Sequence, residues 1–350
     1  MRNLTRSIGL MFAAAGTAAT VALSTAMSAE AANKVLMVNG MGAGNLTDIA
    51  MANILGGAYG GTNWKRENVP WPQQARPLTG KNSLTLTDSI KVGTTNLDSA
   101  IARSLTEVGP GEKVTVVGLS AGALVVDEQI RLLDSRTNAP SKTNLDFVVI
   151  ADSSRAGFNK NRYDATIGYQ YRVPVESKYN VTVVTGQYDG YADPPDRPTN
   201  LLAVANAIAG SQLVHIPSML APLSAVPASN ITTTTNAKGG VTKSYLVPTK
   251  TLPLVVLNPR LKAQEASLRK QIDAAYIRND PKKTPAATLA GPAPAPADSV
   301  APPPANPTPV NADKALDAIK DLPARATATG KAPSAAKLAA SGRDGKRPAA

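Results

Sequence analysis

Residues 113–133 read KVTVVGLSAGALVVDEQIRLL, and three kinds of local order follow one another there without a gap. The first six residues are β-branched and apolar enough to be a strand. From Ala121 onward, Ala123, Val126, Ile130 and Leu133 recur at helical spacing on one stripe. Between them lies Gly118-Leu119-Ser120-Ala121-Gly122, a G-x-S-x-G pentapeptide placed where a strand must turn directly into a helix. That turn is so tight that the residues flanking the serine must be nearly without side chains, while the hydroxyl is thrust out above the sheet. The helix that begins there also directs its free N–H groups and positive dipole end toward charge developing on a substrate oxygen. Ser120 is therefore the candidate nucleophile.

Working outward, residues 34–38, 145–151 and 181–186 form further short apolar runs, continuous rather than alternating, as strands of a parallel sheet covered on both faces read. Helical stretches near 84–106 and 200–208 separate them. This βαβ order predicts an α/β fold: a mostly parallel sheet of the α/β-hydrolase type with helices on both faces. Residues 231–247, ITTTTNAKGGVTKSYLV, have Thr-rich and apolar arms around a Gly-Gly turn and read as a β-hairpin excursion of the kind that caps a site. A last helix near 260–278 closes the domain.

Serine at its free pKa is a poor nucleophile and needs a base held by a carboxylate. In α/β-hydrolases the chain order is serine, then acid, then histidine. Here the strand 181–186 runs into TGQYDGYADPPDRP, and SQLVHIPSM follows. His215, the only histidine of the chain, is the candidate base. Asp189 stands just past the strand's end, where the acid belongs; Asp193 is its rival and Asp196 a third choice, loop capping beside Pro194, Pro195 and Pro198 being the ordinary role of such carboxylates. For the oxyanion hole the N–H of Ala121 is joined by Met41 or Gly42, because the glycine-rich VNGMGAGN after the first strand lets a backbone N–H approach the substrate. GMGAG is neither a P-loop nor a full dinucleotide fingerprint, and no acidic residue ends a second strand in its support, so no nucleotide or other cofactor is implied.

Composition narrows the function further. The chain has 350 residues, no cysteine and one histidine, which leaves disulfides and Cys- or His-based metal sites out of account. At its start, Arg2 and Arg6 precede an apolar run from Ile8 to Leu23 and an A-x-A at Ala29-Glu30-Ala31. This is the pattern of a secretory signal peptide over residues 1–31, cleaved after Ala31, which leaves no transmembrane segment. Residues 281–350 are rich in Pro and Ala with almost no aromatic or branched apolar side chains, a composition that predicts a disordered tail. The net charge of +12 is spread along the chain without a basic run or interleaved aromatics. It predicts contact with anionic envelope polymers through the tail rather than binding of nucleic acid.

With these residues in hand, the stretch from Lys34 to Asp280 resembles the PE-PPE domain family, a cutinase-like branch of the serine α/β-hydrolases in mycobacteria and related actinomycetes. The resemblance is carried by GMGAG, by GLSAGA and above all by YDGYADPPDRPTNLLAVANAIAG followed by VH. It implies esterase or lipase activity on acyl esters, or transfer of acyl groups among envelope glycolipids, with Ser120, Asp189 and His215 in the matching positions. The chain departs from the family where a signal sequence replaces a PE or PPE helical region, and in IPSM after the histidine. Hydrolysis is the first reading, acyl transfer the second; a non-catalytic envelope-binding protein is the third, and an intact Ser, Asp and His in the required order weigh against it.

Overall fold

The computed structural model describes residues 32–281. The signal peptide and most of the Pro/Ala-rich tail expected from the sequence lie outside the described residues. In chain order the elements are β1 (Asn33–Val38), α1 (Asp48–Ala52), α2 (Ile54–Gly57), β2 (Trp64–Asn68), α3 (Leu86–Glu107), β3 (Val114–Leu119), α4 (Ala121–Asp134) and β4 (Leu145–Ile150). The short pair β5 (Tyr163–Asp164) and β6 (Tyr169–Gln170) comes next, then β7 (Val181–Gly186), α5 (Leu201–Leu213), α6 (His215–Met219), β8 (Ile231–Thr235), β9 (Val241–Val247), α7 (Pro253–Leu257) and α8 (Glu265–Asp273).

Seven strands form one sheet in the order β2-β1-β3-β4-β7-β9-β8. All its pairings are parallel except β8 with β9. Successive residues of one strand point to opposite faces, and both faces are buried, which is why the strands are continuous apolar runs. Leu36, Val38, Val114 and Val116 face α3 and α4, where Leu97, Ile101, Leu124 and Ile130 complete one core. Val35, Met37, Val117 and Leu119 face the other way, onto Met51, Ile54 and Tyr59. A third cluster, around Tyr188 and Tyr276, joins α5, α7 and α8. Among the described residues no helix is long and apolar enough to cross a membrane.

The hairpin 231–247 departs from its expected role. It caps nothing: β9 continues the sheet beside β7, and β8 forms its far edge. The physical reason is that β7 would otherwise leave a row of N–H and C=O groups unpaired. Tyr245 and Val247 pack on the second core, while Thr232–Thr235 face solvent. Strand β2 is invisible in the sequence because WKREN has no apolar run; Arg66 is held instead by both carboxylate oxygens of Asp48, at 2.8 and 2.9 Å. The closing helix is broken. A 3-10 turn at Pro259–Gln264 precedes α8, and after Asp273 the chain turns Tyr276 into the third core before a last turn at Ile277–Asn279.

Candidate active site

The sequence GLSAG folds as a strand-to-helix elbow for steric reasons that can be named. Ser120 takes φ 54° and ψ −123°, a strained conformation for a residue with a side chain. It is held there by its N–H donating to the Ile150 carbonyl at 2.9 Å and by the first turn of α4. A Cβ on Gly122 would run into the carbonyl oxygens of Val38 and Asn39, and one on Gly118 into the Ala123 backbone. The start of α4 can therefore press against the end of β1 only if residue 122 is glycine, and fold back onto its own strand β3 only if residue 118 is glycine.

The candidate acid and base come from the segments that follow β7. Asp189 is completely buried in the loop that leaves this strand, its N–H donating to the Gly186 carbonyl at 3.1 Å. Helix α5 closes on this loop so tightly that a Cβ on Gly210 would strike the Tyr188 carbonyl, and one on Gly190 would strike Ala207 and Ser211. After α5 the chain reaches α6, whose first residue is His215. It is seated against Gly186 by Val214 and Ser218, and the Ser218 hydroxyl donates to the His215 carbonyl at 2.8 Å. The result joins all three side chains: Asp189 Oδ2 lies 2.7 Å from His215 Nδ1, and His215 Nε2 lies 2.9 Å from Ser120 Oγ. With Nδ1–H donating to the carboxylate, Nε2 is the acceptor facing the serine hydroxyl. Asp189 Oδ1 accepts the Tyr191 N–H at 3.0 Å, and the Tyr191 ring meets the imidazole edge-on with centroids 4.9 Å apart.

The rival carboxylates are engaged elsewhere. Asp193 Oδ2 accepts the Tyr188 N–H at 2.7 Å, and its two oxygens pair with the Arg278 guanidinium at 2.5 and 3.0 Å. Burial pushes its carboxyl up to about 6, against the pull of Arg278 and the Tyr188 N–H. Asp196 accepts the Ile277 N–H at 2.8 Å. Both fasten the loop to the end of the domain.

The loop after β1 passes directly against the nucleophile, since a Cβ on Gly40 would lie 3.3 Å from that of Ser120. Of the two expected donors in it, Gly42 must be set aside, because its N–H already donates to the Gln73 carbonyl at 3.0 Å. The Met41 N–H donates to no acceptor among the described residues, and the Ala121 N–H, first in α4, has no intrahelical partner. Two supporting side chains escaped the sequence reading. Gln73 accepts the Gly44 N–H at 2.6 Å, and Asn39 Nδ2 donates to the Gly44 carbonyl at 2.6 Å and to Asn68 at 3.0 Å. Nothing in their local sequence marks them, since Gln73 and Asn68 are brought to the Gly44 loop only by the fold.

A second buried acid pair lies at the end of β4. Ser154 Oγ is 2.6 Å from Asp127 and 3.0 Å from Asp152, and Arg155 reaches both carboxylates at 3.1 and 2.8 Å. Burial and the neighbouring Asp127 charge raise the Asp152 carboxyl far above the ordinary range, with Arg155 opposing. The group ties α4, which starts directly after Ser120, to the adjacent strand.

The PE-PPE domain matches residues 62–277, more than half of the chain. The chain belongs to the PE-PPE domain family. Among curated relatives, this PE-PPE chain is 38% identical over 240 residues to the SL1278 acyltransferase Chp1 of Mycobacterium tuberculosis, covering 65% of this chain and 58% of that protein. It is 35% identical over 230 residues to the diacyltrehalose acyltransferase Chp2 of the same organism, covering 60% and 62%. With the esterase PE16, also of M. tuberculosis, the identity is 31% over 227 residues, covering 59% and 41%. The chain thus spans about three fifths of the length of the first two relatives. The PE-PPE match opens just before β2, so β1 and the loop carrying Met41 lie ahead of it.

Proposed function

We propose that this PE-PPE chain is a serine-dependent enzyme of acyl esters, working through a covalent acyl-Ser120 intermediate. The observation that carries the reading is the pair of hydrogen bonds linking Asp189, His215 and Ser120 at 2.7 and 2.9 Å. In the first half-reaction Ser120 Oγ attacks the ester carbonyl carbon while its proton passes to His215 Nε2. Negative charge gathers on the carbonyl oxygen, where the N–H groups of Ala121 and Met41 serve as donors. The C–O bond to the alcohol then breaks, and the imidazolium returns the proton to the leaving oxygen. Asp189 fixes the tautomer and offsets the charge on the ring. In the second half-reaction an oxygen nucleophile, activated by the same His215, takes the acyl group and restores Ser120.

Hydrolysis, with water as that nucleophile, is the first reading. Transfer to an alcohol is the second, and the names of Chp1 and Chp2 favour it. The setting proposed is the cell envelope or exterior, supported by Arg2, Arg6 and the A-x-A near Ala31, with the basic Pro/Ala-rich segment after residue 281 contacting anionic envelope polymer. Treatment with a fluorophosphonate, followed by peptide mass spectrometry, tests the nucleophile: the adduct is expected on Ser120. An adduct on another serine, or none, contradicts the reading.

A further inference from the structure

Tyr191 is a large aromatic residue without a core to fill. Its neighbours on either side are fixed: Gly190 is pressed against Ala207, and Ala192 is buried in the second core. Its own N–H is held by Asp189. The side chain nevertheless stands 52% exposed, against 7% for His215 beneath it. Its ring is inclined 66° to the imidazole, and its phenol oxygen makes no hydrogen bond among the described residues. A rigid backbone thus presents an aromatic ring at the rim of the base.

The chemistry of the second half-reaction gives that position a consequence. Any nucleophile must place its oxygen at His215 Nε2, which is 2.9 Å from Ser120 Oγ. The remainder of a nucleophile larger than water must then spread over whatever flanks the imidazole, and Tyr191 is one such flank. Sugars suit this surface, because their C–H faces pack on aromatic rings while their rim hydroxyls can pair with a phenol. Water uses neither contact.

We infer that Tyr191 forms a wall of a sugar-acceptor subsite and sets how the acyl group on Ser120 divides between water and a sugar hydroxyl. This rests on the acyl-enzyme reading above. In the transfer step the sugar hydroxyl oxygen bonds to the acyl carbon, its proton passes through His215 Nε2 to Ser120 Oγ, and the acyl–Ser120 C–O bond breaks. Tyr191 exchanges no proton; it is a specificity residue.

The test uses the full purified chain with p-nitrophenyl hexanoate as donor and trehalose as acceptor. p-Nitrophenol release counts the acyl-enzymes formed, and mass spectrometry counts acylated trehalose. The ratio of transfer to hydrolysis is drawn from one common intermediate, so partial unfolding or slower acylation leaves it unmoved. Tyr191→Ala is expected to lower this ratio about tenfold, the size of one good aromatic contact, and Tyr191→Phe to lower it less. Should Tyr191→Ala fail to label with fluorophosphonate, Tyr191→Leu, which keeps bulk without the ring, carries the same expectation. A ratio unchanged in the ring-less variant overturns the inference, as does a wild-type enzyme that hydrolyses the donor yet acylates no trehalose. If fluorophosphonate places no adduct on Ser120 of the wild type, the acyl-enzyme reading itself has failed, and the two failures are distinguishable.

Discussion

Arg278 grips both carboxylate oxygens of Asp193, at 2.5 and 3.0 Å, and so pins the loop that carries Asp189 to the last turn of the domain. The two aspartates of that loop therefore do different work. Replacing Asp189 by asparagine keeps the shape but loses tautomer control and stabilisation of the imidazolium, so kcat is expected to fall by up to about 10⁴. Asp193→Asn is expected to retain most of kcat and to unfold at a lower temperature at acid pH. Measured on folded, purified proteins, an inactive Asp193→Asn beside an active Asp189→Asn reverses the assignment.

The ionisation of Asp193 has a sign that can be checked. Its folded-state pKa stands at about 6, above the ordinary 3.8, so the folded protein holds this proton more tightly than the unfolded chain. The stability it contributes is complete below the unfolded value and is lost as pH rises through about 6. The difference in Tm between wild type and Asp193→Asn is therefore expected to move against the wild type from pH 4 to pH 7. A difference that stays constant across this window contradicts the shift.

The end of the domain offers a further comparison. Beyond Arg278, the Arg197 guanidinium pairs with Asp280 at 2.5 Å, and Asp196 accepts the Ile277 N–H at 2.8 Å. A chain ending at residue 281 is expected to keep its turnover on a soluble ester. One ending at residue 276, which lacks all three contacts, is expected to lose turnover and melting temperature together. Equal activity in the two truncations removes the clamp from the account.

Gly122 tests the elbow from its opposite side. A methyl group there meets the Val38 and Asn39 carbonyl oxygens, which the end of β1 cannot move without shifting the Met41 loop. Gly122→Ala is expected to cost about 1–3 kcal/mol of stability, the usual range for overpacking. It is also expected to slow fluorophosphonate labelling of Ser120. Denaturant midpoints and labelling rates measure the two effects; a variant with wild-type values of both contradicts the packing described.

What could be read beforehand followed local order. Strands β1, β3, β4 and β7 announce themselves because burial on both faces makes them unbroken apolar runs, and α4 does so by its stripe of Ala123, Val126, Ile130 and Leu133. Ser120, Asp189 and His215 stand out as candidates by their order and their spacing from strand ends. Their contacts were not, since they span 26 and 95 residues of chain. Strand β2 and the hairpin's place in the sheet are decided by backbone pairing with neighbours distant in sequence, which no local pattern encodes. The same holds for Gln73, whose carbonyl occupies the Gly42 N–H and leaves Met41 as the candidate donor of that loop. Arg278 lay in plain view as one more basic residue near the end of the domain, and only the fold gave it Asp193.

If Ser120 Oγ is the nucleophile, kcat of Ser120→Ala on a p-nitrophenyl acyl ester, with folding verified by circular dichroism, must show it. Alanine removes only the hydroxyl from the elbow, so a folded protein is expected. Its turnover should fall by some 10³-fold or more, any remainder coming from the oxyanion donors and substrate binding alone. A folded Ser120→Ala protein with turnover near that of the wild type would mean that another group is the nucleophile.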